Sequence, residues 1–497
     1  MQNFIHRSTV IVVCFGVTLA ACTDPPPKPD GGAPATTAVQ PMAATSTAKA
    51  PPALCNGTFS DGTSISVKSP VFLTEVPNNG GQSLCDFHTF AWNQFLYLVQ
   101  DQGGQLRFMS MAPWYNLFVP PGKKPADYPG GSTALSVHHL EQLAAQAGDD
   151  YSLVDVTGAT VLYDIRVNEP MFRDIQKRNL YSAAGFDAVC KAPAPDKDCT
   201  QETYLPPNEG SDESSMELKT AWRNFGTSPC PTSMYCVGHW GLAGFHLVQK
   251  TKLHGEWIWA SFEHVDNSPD CQPGGSNPIA AMGPGGQPWA LFDPKKVPPG
   301  VMSSGVCDVK GKPPQCNGDP RTQVPCGGTG QPACVFKAVN VCRTDQLPAG
   351  GASAQNCPVD NTPAGNGRNV ACLNATVAPQ LSGPWTNYRL VGSVWVGGGV
   401  AKTQDFRVNI FQEPSPGVPS KDAAGSVHMA NTTMETWMQT GSTGFEPPNV
   451  QNDKKAGCFQ CHHLPNAPST ASFPQGDLSH IFSKIKQVST TKLVEVK

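Results

Sequence analysis

The chain is 497 residues long with a net charge of −4, and charged side chains make up 15% of it, well below the usual quarter or so. No basic run is present, so nucleic acid is excluded as a partner class. Glycine and proline number 48 each, which favours loops and β structure over long helices.

In chain order, residues 1–21 read as a secretory signal. A short polar start carries Arg7, an apolar run covers residues 10–20, and small residues follow. The run is too short to span a bilayer. The cleavage region reads Leu19-Ala20-Ala21-Cys22 and resembles the bacterial lipobox, in which the cysteine is lipidated and becomes the mature N-terminus. Cys22 is therefore the expected lipid attachment point. Two or three acyl chains anchor a protein stably, because each buried methylene contributes about 0.8 kcal/mol. An ordinary secretory signal with an incidental cysteine is the plainer reading. Residues 22–54 are rich in Pro, Ala and Thr and nearly devoid of large apolar side chains. They cannot bury a core and read as a disordered or semi-rigid tether. Beyond the signal no apolar stretch nears about 18 residues, so no helical span is expected.

Residues 55–450 read as a β-rich main domain. Residues 86–100 bring Phe87, Ala91, Phe95 and Leu98 to one helical side, which predicts a buried helix. His88, near its start, suits a core or capping role better than that of a ligand or base. Residues 151–168 predict a hairpin turning at Thr157-Gly158, and a short helix follows over 172–181. Residues 216–225, 241–251 and 256–265 carry β formers and predict the main sheet. Residues 295–384 are rich in Pro, Gly and Cys with little periodicity and read as a disulfide-stapled insertion. Strands resume over 388–396 and 406–411. The expected fold class is mainly β with a few short helices (α+β), built on a sheet or sandwich core.

His239, His246, His254 and His264 fall within 26 residues, beside Glu263 and Asp266. His246 and His264 on adjacent strands could face each other and bind a metal. Trp257, Trp259 and Phe262 favour a packed sheet with polar edges instead.

Residues 451–497 form a short tail that carries the most specific motif. It reads Cys458-Phe459-Gln460-Cys461-His462, the C-x-x-C-H of covalent haem c attachment. Two thiols at this spacing can each add across one haem vinyl group, and the next imidazole then holds the iron. Cys458 and Cys461 are the expected haem attachment points and His462 the proximal iron ligand. A plain disulfide, or a zinc site with His462, His463 or His480, would use the same residues. No Met follows Cys461, so the short tail does not enclose the haem by itself. His480 is the first candidate for the distal position, followed by Met434 and Met438, and an open site would permit ligand or peroxide chemistry. Removing Cys14, Cys22, Cys458 and Cys461 from the 18 cysteines leaves fourteen, enough for seven disulfides. Such bonds persist in an exported protein. The local pairings are Cys55 with Cys85, Cys190 with Cys199 and Cys230 with Cys236.

Several segments resemble a family of uncharacterised exported bacterial proteins, cytochrome c-like lipoproteins with a C-terminal C-x-x-C-H. The segments are CDFHTFAWNQFLYL, VTGATVLYDIRVNEPMF, MELKTAWRNF, GLAGFHLVQKTKLHGEWIWASFEHVDN and NTTMETWMQ leading into CFQCHH. The resemblance implies that the β domain and the haem tail form one unit; it carries no activity with it.

The leading expectation is a monohaem c-type lipoprotein that passes electrons at the bacterial cell envelope, periplasmic or at the outer-membrane surface. Its partner would be a redox protein or a small-molecule electron donor, and a lipid anchor would hold it to the membrane. A haem-dependent oxidase, peroxidase or dehydrogenase whose large β domain binds substrate is the first alternative. A non-haem, disulfide-rich surface or binding lipoprotein is the second. No catalytic residue stands out.

Overall fold

In the computed structural model the described residues are 53–131, 133–141, 143, 146–147, 153–185, 214–254, 257–270, 280–295, 307–308, 315–317, 335–337, 341–343, 357–362, 365–396, 423–426, 431–436 and 479–483. The chain divides into two units, Met1–Pro51 and Pro52–Lys497, and every described residue lies in the second.

The first long element is helix α1, Leu84–Leu98. Ser83 caps it by accepting from the Asp86 N–H, and the Asp86 carboxylate returns a bond to the Ser83 N–H. This capping box satisfies two backbone donors that the first turn leaves without helical partners. Nearly all of α1 is buried, His88 included. A disulfide from Cys55 to Cys85 holds its N-terminus. Among the described residues two longer helices follow, α2 over Glu169–Lys177 and α3 over Asn366–Val377. The α2 helix begins earlier than the apolar pattern of 172–181 indicated. Asn168 caps it and Pro170 sits in its first turn, where a missing N–H is harmless.

The architecture is α+β around one eight-stranded antiparallel sheet. Its strands are β1 (Ala112–Pro113), β2 (Leu162–Val167), β3 (Met216–Asn224), β4 (Cys236–Val237), β5 (Trp240–Gln249), β6 (Ile258–His264), β10 (Tyr388–Val396) and β11 (Ala423–Gly425). The order is β1-β2-β3-β5-β6-β10-β11, with β4 paired to β5. A separate three-stranded sheet joins β7 (Cys307–Asp308), β8 (Gln315–Asn317) and β9 (Val335–Lys337). The expected hairpin of 151–168 reduces to a tight turn. Val154 bridges Thr160, Gly158 takes a left-handed φ of 89°, and Asp155 accepts from the Thr157 and Ala159 N–H groups.

Both faces of the sheet are covered, so its central strands are buried along nearly their whole length and carry polar as well as apolar side chains inside. All seven residues of β6 are buried. On one face Leu218, Phe245, Phe262 and Leu390 meet Trp92 and Phe95 of α1, and α3 closes the same cluster. On the other face Tyr163, Ala221, Val248, Trp259 and Val394 pack with Phe172 and Ile175 of α2 and with Met434, Ile481 and Phe482 from the C-terminal region. Helix α3 falls inside the stretch read as a loop-rich insertion. The Cys357–Cys372 disulfide pins it near its middle. A third disulfide joins Cys230 to Cys236. Cys190, Cys199 and the expected strand at 406–411 lie outside the described residues.

Candidate functional site

The densest polar arrangement lies on the second sheet face, where the segment Asn431–Thr436 meets β2, β5 and β6. Asn431, Thr432, Thr433 and Thr436 are each 0% exposed, so every polar group there must find a protein partner. The Asn431 side chain donates to Ser261 Oγ and to the Phe262 carbonyl, both at 2.8 Å. Its Oδ1 accepts the N–H and the hydroxyl of Thr433 at 2.9 and 2.8 Å, an Asx turn. Thr432 donates its N–H and hydroxyl to Glu263 Oε2 at 3.0 and 2.8 Å. The Tyr163 hydroxyl donates to the Thr433 carbonyl at 2.7 Å. Glu435 accepts the Asn431 N–H on Oε2 at 2.8 Å, and its Oε1 lies 2.7 Å from Nε2 of His246.

The sheet places these groups by register. Gly244 pairs with Glu263 across β5 and β6, His246 with Ser261, and Ala221 with Gly244 across β3 and β5. Directly opposed residues share a face, so Gly244, His246, Ser261 and Glu263 all point toward the segment. Gly244 leaves the space for it: a Cβ there would lie 2.0 Å from Thr433 Oγ1.

Glu263 is fully buried and carries cations on its other oxygen. Arg389 Nη2 lies 3.0 Å from Oε1, and Arg343, itself fully buried, also bonds Oε1. Arg343 reaches Asp270 at 3.2 Å as well. Burial lowers the Arg389 pKa and raises those of Asp266 and Asp270. The Tyr163 pKa is pushed well above its usual value by burial and by the nearby Glu435 charge. It therefore stays a donor.

A second C-terminal segment reaches the same face. His480–Ser483 forms a 3₁₀ turn. The Ser479 hydroxyl before it bonds Oε2 of Glu217 on β3. Ile481 and Phe482 are 0% exposed, with the Phe482 ring edge-on to Phe118. Burial pushes the Glu217 carboxyl up to about 7, against the opposing pull of the Ser479 bond and the Lys219 charge.

Cys22, Cys458, Cys461, His462 and Met438 lie outside the described residues, as does the side chain of His480. Met434 is buried in the cluster that includes Trp259, and its methyl would stand 3.4 Å from a Cβ on Gly244. The histidine group on the sheet does not converge. His246 pairs with Ser261, three positions from His264, and an odd separation puts the two imidazoles on opposite faces. His264 donates from Nε2 to the Ser233 carbonyl at 2.9 Å and accepts the Asp266 N–H on Nδ1 at 3.2 Å, so it is neutral. Burial holds its pKa down to about 4. His254 donates to the Gly80 carbonyl, and His239 is exposed. His88 donates from Nε2 to Asn366 Oδ1 at 2.7 Å and accepts from Ser393 Oγ at 2.5 Å; it is a satisfied core histidine. Among the described residues no group of three or more His, Cys, Asp and Glu side chains could hold a metal ion, and no helix is long and apolar enough to cross a membrane.

The roles of Glu263, Asn431 and Tyr163 escaped sequence reasoning. The available signal was a short polar run, NTTMET, placed just ahead of the C-x-x-C-H tail. No protein-family model, curated protein or solved structure matches this chain.

Proposed function

We propose that the protein is a monohaem c-type cytochrome lipoprotein that passes electrons at the bacterial cell envelope, in company with the exported lipoproteins its segments resemble. The observation that carries this reading is the C-x-x-C-H of residues 458–462. Cys458 and Cys461 would hold the haem and His462 would ligate its iron. The donor chemistry fits: two thiols for the vinyl groups and one imidazole for a borderline iron centre. When bound, the haem supplies one-electron transfer. His480 is the proposed distal ligand, because Ser479 and Ile481 on either side of it are both held to the sheet face. Cys22 would carry the lipid anchor. The three described disulfides agree with export to an oxidising compartment. The electron donor would be a redox protein or a small molecule.

The deciding experiment is the absorption spectrum of protein matured in a host that attaches haem c, before and after dithionite, with carbon monoxide added last. A sharp reduced α-band that carbon monoxide leaves unmoved is the expected result for a six-coordinate electron-transfer haem. A carbon monoxide shift would favour the haem-dependent enzyme. Absence of a haem band would leave a disulfide-rich surface protein. Replacing Cys458 and Cys461 by Ala removes the covalent haem while secretion persists.

A further inference from the structure

The three described disulfides differ in their access to solvent. Cys55, Cys85, Cys357 and Cys372 are each at most 1% exposed. Cys230 and Cys236 are both partly exposed, and the run of residues 226–229 leading to them is fully so. An attacking thiolate can reach a sulfur in that position far more readily than a buried one. The residues between these two cysteines grip the end of the sheet. The Ser233 carbonyl accepts from His264 Nε2 at 2.9 Å and from Asn387 Nδ2 at 3.0 Å. The Tyr235 N–H donates to the Tyr388 hydroxyl at 3.2 Å, and the Tyr235 ring stacks on Trp385. Met234 is buried over the bare Cα of Gly241. His264 itself is 1% exposed, so the loop is the lid on its Nε2. Gly226 and Gly238 flank the loop, both exposed with φ at 59°, where glycine turns without strain. They supply a hinge at each end.

We propose that the Cys230–Cys236 disulfide is a redox-operated clasp over His264: closed, it holds the Ser233 carbonyl on Nε2, and reduced by a dithiol it lets the loop lift and present the imidazole to solvent. The proposal is independent of the haem c reading. The step is thiol–disulfide exchange. The dithiol attacks one sulfur to give a mixed disulfide, then closes to its own disulfide. It gives up two electrons and two protons, which leave Cys230 and Cys236 as thiols. A cross-link over a sequence separation of 6 restrains the opened loop by a factor of about 50. Its loss raises the opened fraction by that factor, while Met234 and Tyr235 still favour closure. The freed imidazole regains basicity beside Asp266, whose carboxylate lies 3.9 Å from Nδ1, with Arg223 and Arg389 as the nearby cations.

The test uses the full-length exported protein. Graded dithiothreitol, followed by alkylation and peptide mapping, is expected to label Cys230 and Cys236 before Cys55, Cys85, Cys357 and Cys372. In protein trapped at that point, diethyl pyrocarbonate should modify His264 about 50-fold faster than in the oxidised protein. His88, buried in α1 with both nitrogens engaged, should stay unmodified and is the internal control. Cys230→Ser combined with Cys236→Ser should show the fast His264 rate with no reductant. If that variant does not fold, the reduction series on the wild type decides alone. Unchanged protection of His264 after Cys230 and Cys236 are reduced would overturn the clasp. Labelling of the buried disulfides first, or modification of His88 in step with His264, would mark general unfolding and overturn it as well.

Discussion

His88 and His264 show how burial turns a titratable side chain into a structural one. Each imidazole has both nitrogens engaged with neutral partners, and desolvation brings each pKa down to about 4. The folded protein therefore binds fewer protons than the unfolded chain below the ordinary histidine value of 6.5. Their contribution is present above that value and is lost as pH falls toward 4, by about 1–2 kcal/mol each at pH 5. Glu217 has the opposite sign. With its carboxyl pushed up to about 7, the fold keeps a proton that the unfolded chain releases near 4.5, so stability falls as pH rises between these values. Denaturant midpoints measured from pH 5 to pH 8 should show both slopes. His88→Gln should flatten the acid side, and Glu217→Gln the neutral side.

Strand β6 joins the molecule's two chemistries, apolar core on one face and buried charge on the other. Glu263 faces Arg343, Arg389 and Thr432 at once. Removing its charge takes the Glu263 counterion from Arg389 and leaves Arg343 with Asp270. Glu263→Gln should therefore cost about 3–5 kcal/mol in chemical unfolding, far more than an exposed ion pair such as Arg173–Glu169 on α2. Helix α3 is held differently. Its Cys357–Cys372 link closes a loop with a sequence separation of 15, a size for which the entropic contribution is about 3 kcal/mol. A staple of this kind lets a helix with little apolar periodicity persist in a stretch otherwise short of core residues.

Across the whole molecule the sheet is a two-sided platform. Helices α1 and α3 close one face. Helix α2 and two C-terminal segments close the other. On the proposed reading, a lipid on Cys22 would tie the protein to a membrane. Cys22→Ala should release the protein from the membrane fraction into the soluble one while leaving the haem spectrum unchanged; retention in the membrane fraction would remove the lipid from the proposal.

The sequence by itself determined the helix at Leu84–Leu98 and the strands at Met216–Asn224, Trp240–Gln249, Ile258–His264 and Tyr388–Val396, because runs of β formers and a capped apolar period are local properties. It also determined the Cys55–Cys85 and Cys230–Cys236 pairings, which are close in the chain, and it carries the C-x-x-C-H motif whole. Only the tertiary structure decided which side chains meet. His246 and His264 are near neighbours in sequence yet face apart, because a register of three positions reverses the face. Glu263 and Thr432 are 169 residues apart and nevertheless share a hydrogen bond. Such contacts depend on strand order and register, which no short window of residues contains.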